Sequence, residues 1–129
     1  MYRFIGPDRT ALVTDSMRGA GMPNGESVLG SRETGLKVII EDGVAKLPDR
    51  TAFAGSVATM DRLVKNMVQL AKATLTDAVK MATETPARIV GLTDRGTLDV
   101  GKRADIVLFD DEFRVSRTIV GGRTVYSKE

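Results

Sequence analysis

At 129 residues, with 42% hydrophobic and 28% charged side chains, the chain has the makeup of a single globular domain. Its 19 Lys and Arg against 17 Asp and Glu leave a net charge of +2. With no Lys/Arg block and 5% aromatic residues, a nucleic-acid-binding surface is excluded. The absence of Cys excludes a disulfide framework and fits a reducing cytoplasm, and no apolar run approaches the ~20 residues of a membrane-spanning helix.

Met1 precedes Tyr2-Arg3-Phe4-Ile5-Gly6-Pro7, which carries no signal-peptide pattern and reads as an internal stretch. Ala11–Thr14 reads as a short buried strand that ends on Asp15. Ser16–Gly35 holds Gly19, Gly21, Pro23, Gly25, Gly30 and Gly35 and reads as one long loop. Lys37–Glu41 and Val44–Leu47 flank Asp42-Gly43, the residue pair that a type I′ hairpin turn demands. Beyond an irregular stretch containing Phe53-Ala54-Gly55-Ser56, the period changes. Met60, Leu63, Val64, Met67, Val68 and Ala71 recur on one face of a helix, with Asp61 in its first turn. A second helix is expected with Thr76 as N-cap and an end at Glu84 or Thr85, before Pro86. Thr85-Pro86 then opens a short third helix that Gly91 closes. From Gly96 the texture is β: a strand over Ile106–Phe109, then a hairpin from Thr118 to Tyr126 turning at Gly121-Gly122. The boundary of this β tail is expected near Arg95.

Asp15 suits two roles. At a strand C-terminus facing a cleft it would be a general base and acid. After Thr14 and before a Gly-rich loop it could equally cap a turn through backbone N–H groups. Phe53-Ala54-Gly55-Ser56 divides the same way. Gly55 would let backbone approach a ligand, and free N–H groups before a helix suit a polar ligand; alternatively Ser56 or Thr59 simply caps the helix. Arg18, Arg32 and Arg50 fall in loops, where they could hold a phosphate or be merely solvated. Met60, Met67 and Met81 occupy apolar helical positions and are expected in the core. With no His and no Cys, the chain cannot assemble a usual catalytic metal site alone.

Several segments, in order, resemble the C-terminal third of the N-acetylglucosamine-6-phosphate deacetylase family of metal-dependent amidohydrolases. They are Gly6-Pro7-Asp8-Arg9, Leu12-Val13-Thr14-Asp15-Ser16-Met17, Ala20-Gly21-Met22-Pro23-Asn24-Gly25, Phe53-Ala54-Gly55-Ser56 with Thr59-Met60-Asp61, Thr85-Pro86-Ala87-Arg88, Gly96-Thr97-Leu98 and Gly101-Lys102-Arg103-Ala104-Asp105. The resemblance implies an α/β fold. Residues 1–95 would be the last part of a catalytic (β/α)8 TIM barrel, which in full takes roughly 250 residues. Residues 96–129 would be strands of a small β-sandwich. Asp15 would end barrel strand eight. It would act as general base and acid while a water activated by a divalent metal, zinc, iron or similar, attacks the acetamide of N-acetylglucosamine 6-phosphate. Phe53, Ala54, Gly55 and Ser56 would bind the sugar phosphate. The products would be glucosamine 6-phosphate and acetate, and the parent enzyme a cytoplasmic homodimer of amino-sugar catabolism.

The family's metal ligands, a Glu and two His, have no counterpart here, so the chain alone is expected to bind no metal and to be inactive. A lone barrel strand and the apolar stripe of the first long helix are expected to be buried by self-association or a larger assembly. Two other readings share some features. One is a dihydroorotase-like cyclic amide hydrolase, which would share Asp15 and the Gly-Lys-Arg-Ala-Asp segment. The other is a non-catalytic module that binds a partner through open sheet edges.

Overall fold

The computed structural model describes residues 2–128. It divides into two compact units: Val13–Met60, and the described residues up to Leu12 together with those from Asp61 onward.

The Val13–Met60 unit is organised by the Asp42-Gly43 turn. Asp42 (φ 54°) and Gly43 (φ 72°) both adopt the positive φ of a type I′ turn, so β2 (Leu36–Glu41) folds back on β3 (Val44–Lys46). A further strand, β1 (Gly25–Leu29), pairs antiparallel with β2 and completes a sheet of order β1-β2-β3. This strand replaces part of the expected loop. Only Val28 and Leu29 are apolar in it, so its signal is lost among glycines, and pairing along β2 supplies what propensity does not. Val38 and Ile40 alternate inward on β2. Val38, Ala45, Ala54 and Met17 form the buried cluster, with Leu29, Leu47 and Val57 against it. The preceding loop lies so close to the sheet that a Cβ on Gly19 would fall 2.1 Å from Ile40 Cδ1.

The expected strand over Ala11–Thr14 is not formed. A strand needs ladder partners, and here the Leu12 N–H donates instead to the Met81 carbonyl at 2.8 Å, while Val13 is 73% exposed. Parallel pairing occurs two residues later, as a single bridge between Ser16 and Ser56.

In the second unit, α1 (Tyr2–Ile5) leads into a 3₁₀ turn over Pro7–Arg9. The amphipathic helix appears as α2 (Met60–Gln69). The next helix, α3 (Leu75–Ala82), is capped by Thr74 rather than Thr76: the Thr74 hydroxyl accepts from the Asp77 N–H at 3.1 Å. α3 ends at Ala82, and α4 (Glu84–Ile89) starts after Thr83, so Pro86 lies inside its first turn, where its missing N–H costs nothing. Gly91 (φ 76°) closes α4 as expected. Its N–H donates to the Arg88 carbonyl at 3.1 Å and that of Leu92 to the Ala87 carbonyl at 2.8 Å, the paired bonds of a Schellman cap.

The buried residues of this part are mostly small, and Met81 is the largest side chain fully enclosed. Thr85 is also fully buried; its hydroxyl donates to the Pro7 carbonyl at 2.8 Å and fastens α4 to the 3₁₀ turn. Lys80 pairs with Asp8, and Arg88 donates to the Asp8 carbonyl, reinforcing the same seam.

The β tail is a second antiparallel sheet, order β4-β5-β6: β4 (Ile106–Phe109), β5 (Val115–Val120) and β6 (Arg123–Ser127). Gly121 (φ 56°) and Gly122 (φ 80°) make the tight turn. The Gly-Lys-Arg-Ala-Asp segment acts as a latch on that turn. Asp105 Oδ1 accepts from the Gly121 N–H at 2.7 Å and from Arg103 Nε at 2.9 Å, and the Gly122 N–H donates to the Ala104 carbonyl at 2.9 Å. The Gly121 N–H, then Arg103, hold the Asp105 carboxyl below its usual pKa. No residue of the three strands is buried, and Val107, Leu108, Val125 and Tyr126 are exposed. Both sheets are purely antiparallel, and among the described residues no barrel closes.

Replacing the Thr85 hydroxyl by a methyl group, as in Thr85→Val, leaves the Pro7 carbonyl without its donor. The expected loss is about 1–3 kcal/mol, read as a lower urea midpoint at unchanged m value.

Candidate active site

Asp15 lies one residue before the bridge between Ser16 and Ser56, and not at the end of a strand. Its backbone is left-handed (φ 47°), a conformation that Asp tolerates better than most residues. Its side chain is exposed.

The bridge brings the two singled-out segments together although they are far apart in sequence. The Met17 N–H donates to the Ser56 carbonyl at 2.9 Å. The Ser16 hydroxyl donates to the Ala58 carbonyl, 42 residues away, and the Ser56 hydroxyl accepts from the Ala58 N–H at 3.1 Å. Ser56 therefore closes a local turn and does not cap α2. Met17 and Ala54 are buried in the same cluster, so the residues flanking Asp15 and Gly55 are held by apolar packing as well as by backbone bonds. A Cβ on Gly55 (φ 105°) would touch Met17 Sδ and Leu29 Cδ1, both at 3.4 Å.

Phe53–Ser56 is shaped from its other side by β3. Phe53 pairs opposite Lys46 in an antiparallel bridge, and the Ala54 N–H donates to the Ala45 carbonyl at 2.8 Å. That N–H is thus not free for a ligand, contrary to the sequence expectation. Phe53 itself is 77% exposed, leaving an aromatic face open beside Gly55.

Of the three loop arginines, Arg18 donates to the Gly30 carbonyl at 2.8 Å and Arg32 is exposed. Arg50 forks onto Glu41: Nε meets Oε1 at 2.8 Å and Nη2 meets Oε2 at 3.2 Å. Lys46 joins them, 3.2 Å from Glu41 Oε1 and 2.8 Å from Asp42 Oδ2. Arg50, and Lys46 after it, hold the Glu41 carboxyl below the usual carboxylate range. No group of three or more His, Cys, Asp or Glu among the described residues could hold a metal ion. A shallow apolar depression of about 330 Å³, lined by Thr83, Pro86, Ala87, Val90, Leu92 and Arg95 among others, includes neither Asp15 nor any residue of Phe53–Ser56.

Residues 10–125 match the sequence model of the amidohydrolase family, and the chain belongs to that family. Within it, the chain is 40% identical over 122 residues to the N-acetylglucosamine-6-phosphate deacetylase of Lysinibacillus sphaericus, a match covering 95% of this chain and 30% of that protein. The crystal structure of N-acetylglucosamine-6-phosphate deacetylase from Thermotoga maritima superimposes with a TM-score of 0.84 at 35% identity, covering 98% of this chain and 34% of that one. A mutant deacetylase from Mycobacterium smegmatis, in complex with N-acetyl-D-glucosamine-6-phosphate, gives 0.85 at 32% identity over 98% of this chain and 33% of that one. The chain thus spans about 30% of the length of the curated relatives. No helix of the described residues is long and apolar enough to cross a membrane.

The Glu41 pairing has a definite pH signature. A carboxyl whose folded pKa lies below its unfolded value stabilises fully above the unfolded value, and that contribution fades as pH falls through the folded one. Wild type and Arg50→Met should therefore differ in Tm at neutral pH and converge only as pH falls below the usual carboxylate range, through the lowered Glu41 value. Thermal melts across this range check it; a gap that persists at acid pH would count against the ion pair as its source.

Proposed function

We propose that this chain is the C-terminal part of a metal-dependent deacetylase that hydrolyses N-acetylglucosamine 6-phosphate to glucosamine 6-phosphate and acetate. The observation that supports the reading is the bridge between Ser16 and Ser56, which joins the residue after Asp15 to the Phe53–Ser56 segment. The likeness to deacetylases over nearly the whole chain supports the substrate.

In this reading Asp15 is the general base and acid. Its carboxylate accepts a proton from the water that adds to the acetamide carbonyl. It then returns that proton to the amine nitrogen as the C–N bond breaks. Phe53 offers an apolar face to the substrate, and Ala54, Gly55 and Ser56 a close backbone wall on which Gly55 leaves room for the sugar. The metal belongs to residues outside this chain. Residues 1–95 form the last part of a TIM barrel, and residues 96–129 contribute strands to a small β-sandwich. The exposed Val107, Leu108, Val125 and Tyr126 support that division, since they need covering in the intact enzyme. The enzyme is a homodimer working in the cytoplasm, a setting the Cys-free sequence suits.

The test uses the full-length protein that carries this chain. Asp15→Asn keeps the shape and tolerates the left-handed backbone but cannot take the proton. It should lower kcat on N-acetylglucosamine 6-phosphate by about 10²–10⁴-fold with little change in KM. Near wild-type kcat in that variant would remove Asp15 from the chemistry.

A further inference from the structure

The fork between Arg50 and Glu41 lies outside the residues assigned above, yet its location ties it to them. Glu41 is the last residue of β2, and Arg50 ends the turn that carries the chain from β3 into Phe53–Ser56. That turn is tightly made. The Arg50 N–H donates to the Leu47 carbonyl at 2.8 Å, and the Leu47 N–H to the Ala52 carbonyl at 2.9 Å. Asp49 Oδ1 accepts from both the N–H and the hydroxyl of Thr51, at 3.0 and 2.8 Å. These bonds fix the register in which Phe53 faces Lys46 and Ala54 bonds to Ala45.

Arg50 reaches this geometry at a cost. Its φ is 61°, a region where glycine would be unstrained and a long side chain is not. A non-glycine residue persists there when its surroundings hold it, and at Arg50 both the backbone bonds of the turn and the two-pronged bond to Glu41 do so. Lys46, on the strand that pairs with Phe53, grips the same carboxylate, so one anion holds both the turn and the strand beside it. A lone exposed ion pair would do little; a forked pair with a second cation imposes one arrangement.

We propose that Glu41 and Arg50 are positioning residues of the deacetylase site: their fork sets the turn that delivers Phe53–Ser56 to the substrate. This rests on the deacetylase reading. Neither residue touches the reacting atoms. Their loss acts on binding, through a segment free to shift its register.

The experiment is steady-state kinetics of the full-length enzyme on N-acetylglucosamine 6-phosphate, with amide hydrogen exchange at Ala54. Arg50→Met should raise KM about tenfold while kcat stays within about twofold, and should speed Ala54 exchange roughly tenfold. Glu41→Gln, nearly isosteric, should do the same. The double variant should be no worse than Glu41→Gln alone, because losing the Glu41 carboxylate already releases both Arg50 and Lys46. Arg50→Lys, which keeps the charge and loses the fork, should recover only part of KM. A lower Tm with unchanged KM and unchanged Ala54 exchange would make the pair merely structural and overturn the proposal. Should Arg50→Met fail to fold, Glu41→Gln carries the same readouts. Absence of deacetylase activity in the wild-type enzyme would defeat the reading of function instead; Ala54 exchange in the two variants would still decide whether the fork holds the segment.

Discussion

A single rung of parallel pairing, Ser16 against Ser56, is what the candidate site depends on. Each segment it joins is ordered by something else: Met17 by the apolar cluster, and Phe53 and Ala54 by β3. Neither would form a site alone, because a carboxylate without a wall and a wall without a carboxylate both lack chemistry. The rung uses the Met17 N–H and the Ser56 carbonyl, backbone groups that no substitution other than Met17→Pro removes. Ser16 adds a hydroxyl bond to Ala58 and Ser56 closes the turn that follows. Small hydroxyl residues at both ends satisfy the backbone where a bulky pair would separate the two segments.

Two kinds of cohesion hold the rest. The Val13–Met60 unit has a conventional, if small, apolar cluster packed with its three-stranded sheet. The helices of the other unit are fastened to the N-terminal turn by polar contacts, with Thr85 on the Pro7 carbonyl and Lys80 on Asp8. The β tail has no buried residue in its strands. Its order comes from ladder bonds, the Gly-Gly turn and the Asp105 latch, while its apolar side chains remain exposed. Such a sheet is held in shape by its backbone and would gain most of its stability from whatever covers it.

What could be read from sequence follows the range of the interactions. Both type I′ turns, at Asp42-Gly43 and Gly121-Gly122, were legible because positive φ at two adjacent positions is a local demand. The helix from Met60 and the Gly91 cap were legible for the same reason, period and cap both being written within a few residues. β1 was not, since its pairing with β2 decides it and its own residues do not. The reverse error occurred at Ala11–Thr14, where an apolar run promised a strand but Leu12 bonds to Met81 instead. Thr74 took the cap expected of Thr76 because Leu75 and Thr76 fit the first turn of α3. Within the site, the two segments could be named one at a time. That they adjoin, and that Arg50 is engaged with Glu41 and so not free for a phosphate, depends on contacts no local pattern encodes.

The left-handed backbone at Asp15 narrows what evolution or a mutagenesis library can place there. Exposure alone suggests a permissive position, since exposed side chains displace few neighbours. With φ at 47°, however, β-branched and bulky residues are penalised before any chemistry is considered. Only Gly, Asn and Asp enter cheaply, and of these only Asp carries a carboxylate. Randomising this codon would therefore mix two kinds of failure. If Asp15 has the role proposed above, most variants would lose backbone fit and catalysis together, and the Asn and Gly members alone would report the value of the carboxylate.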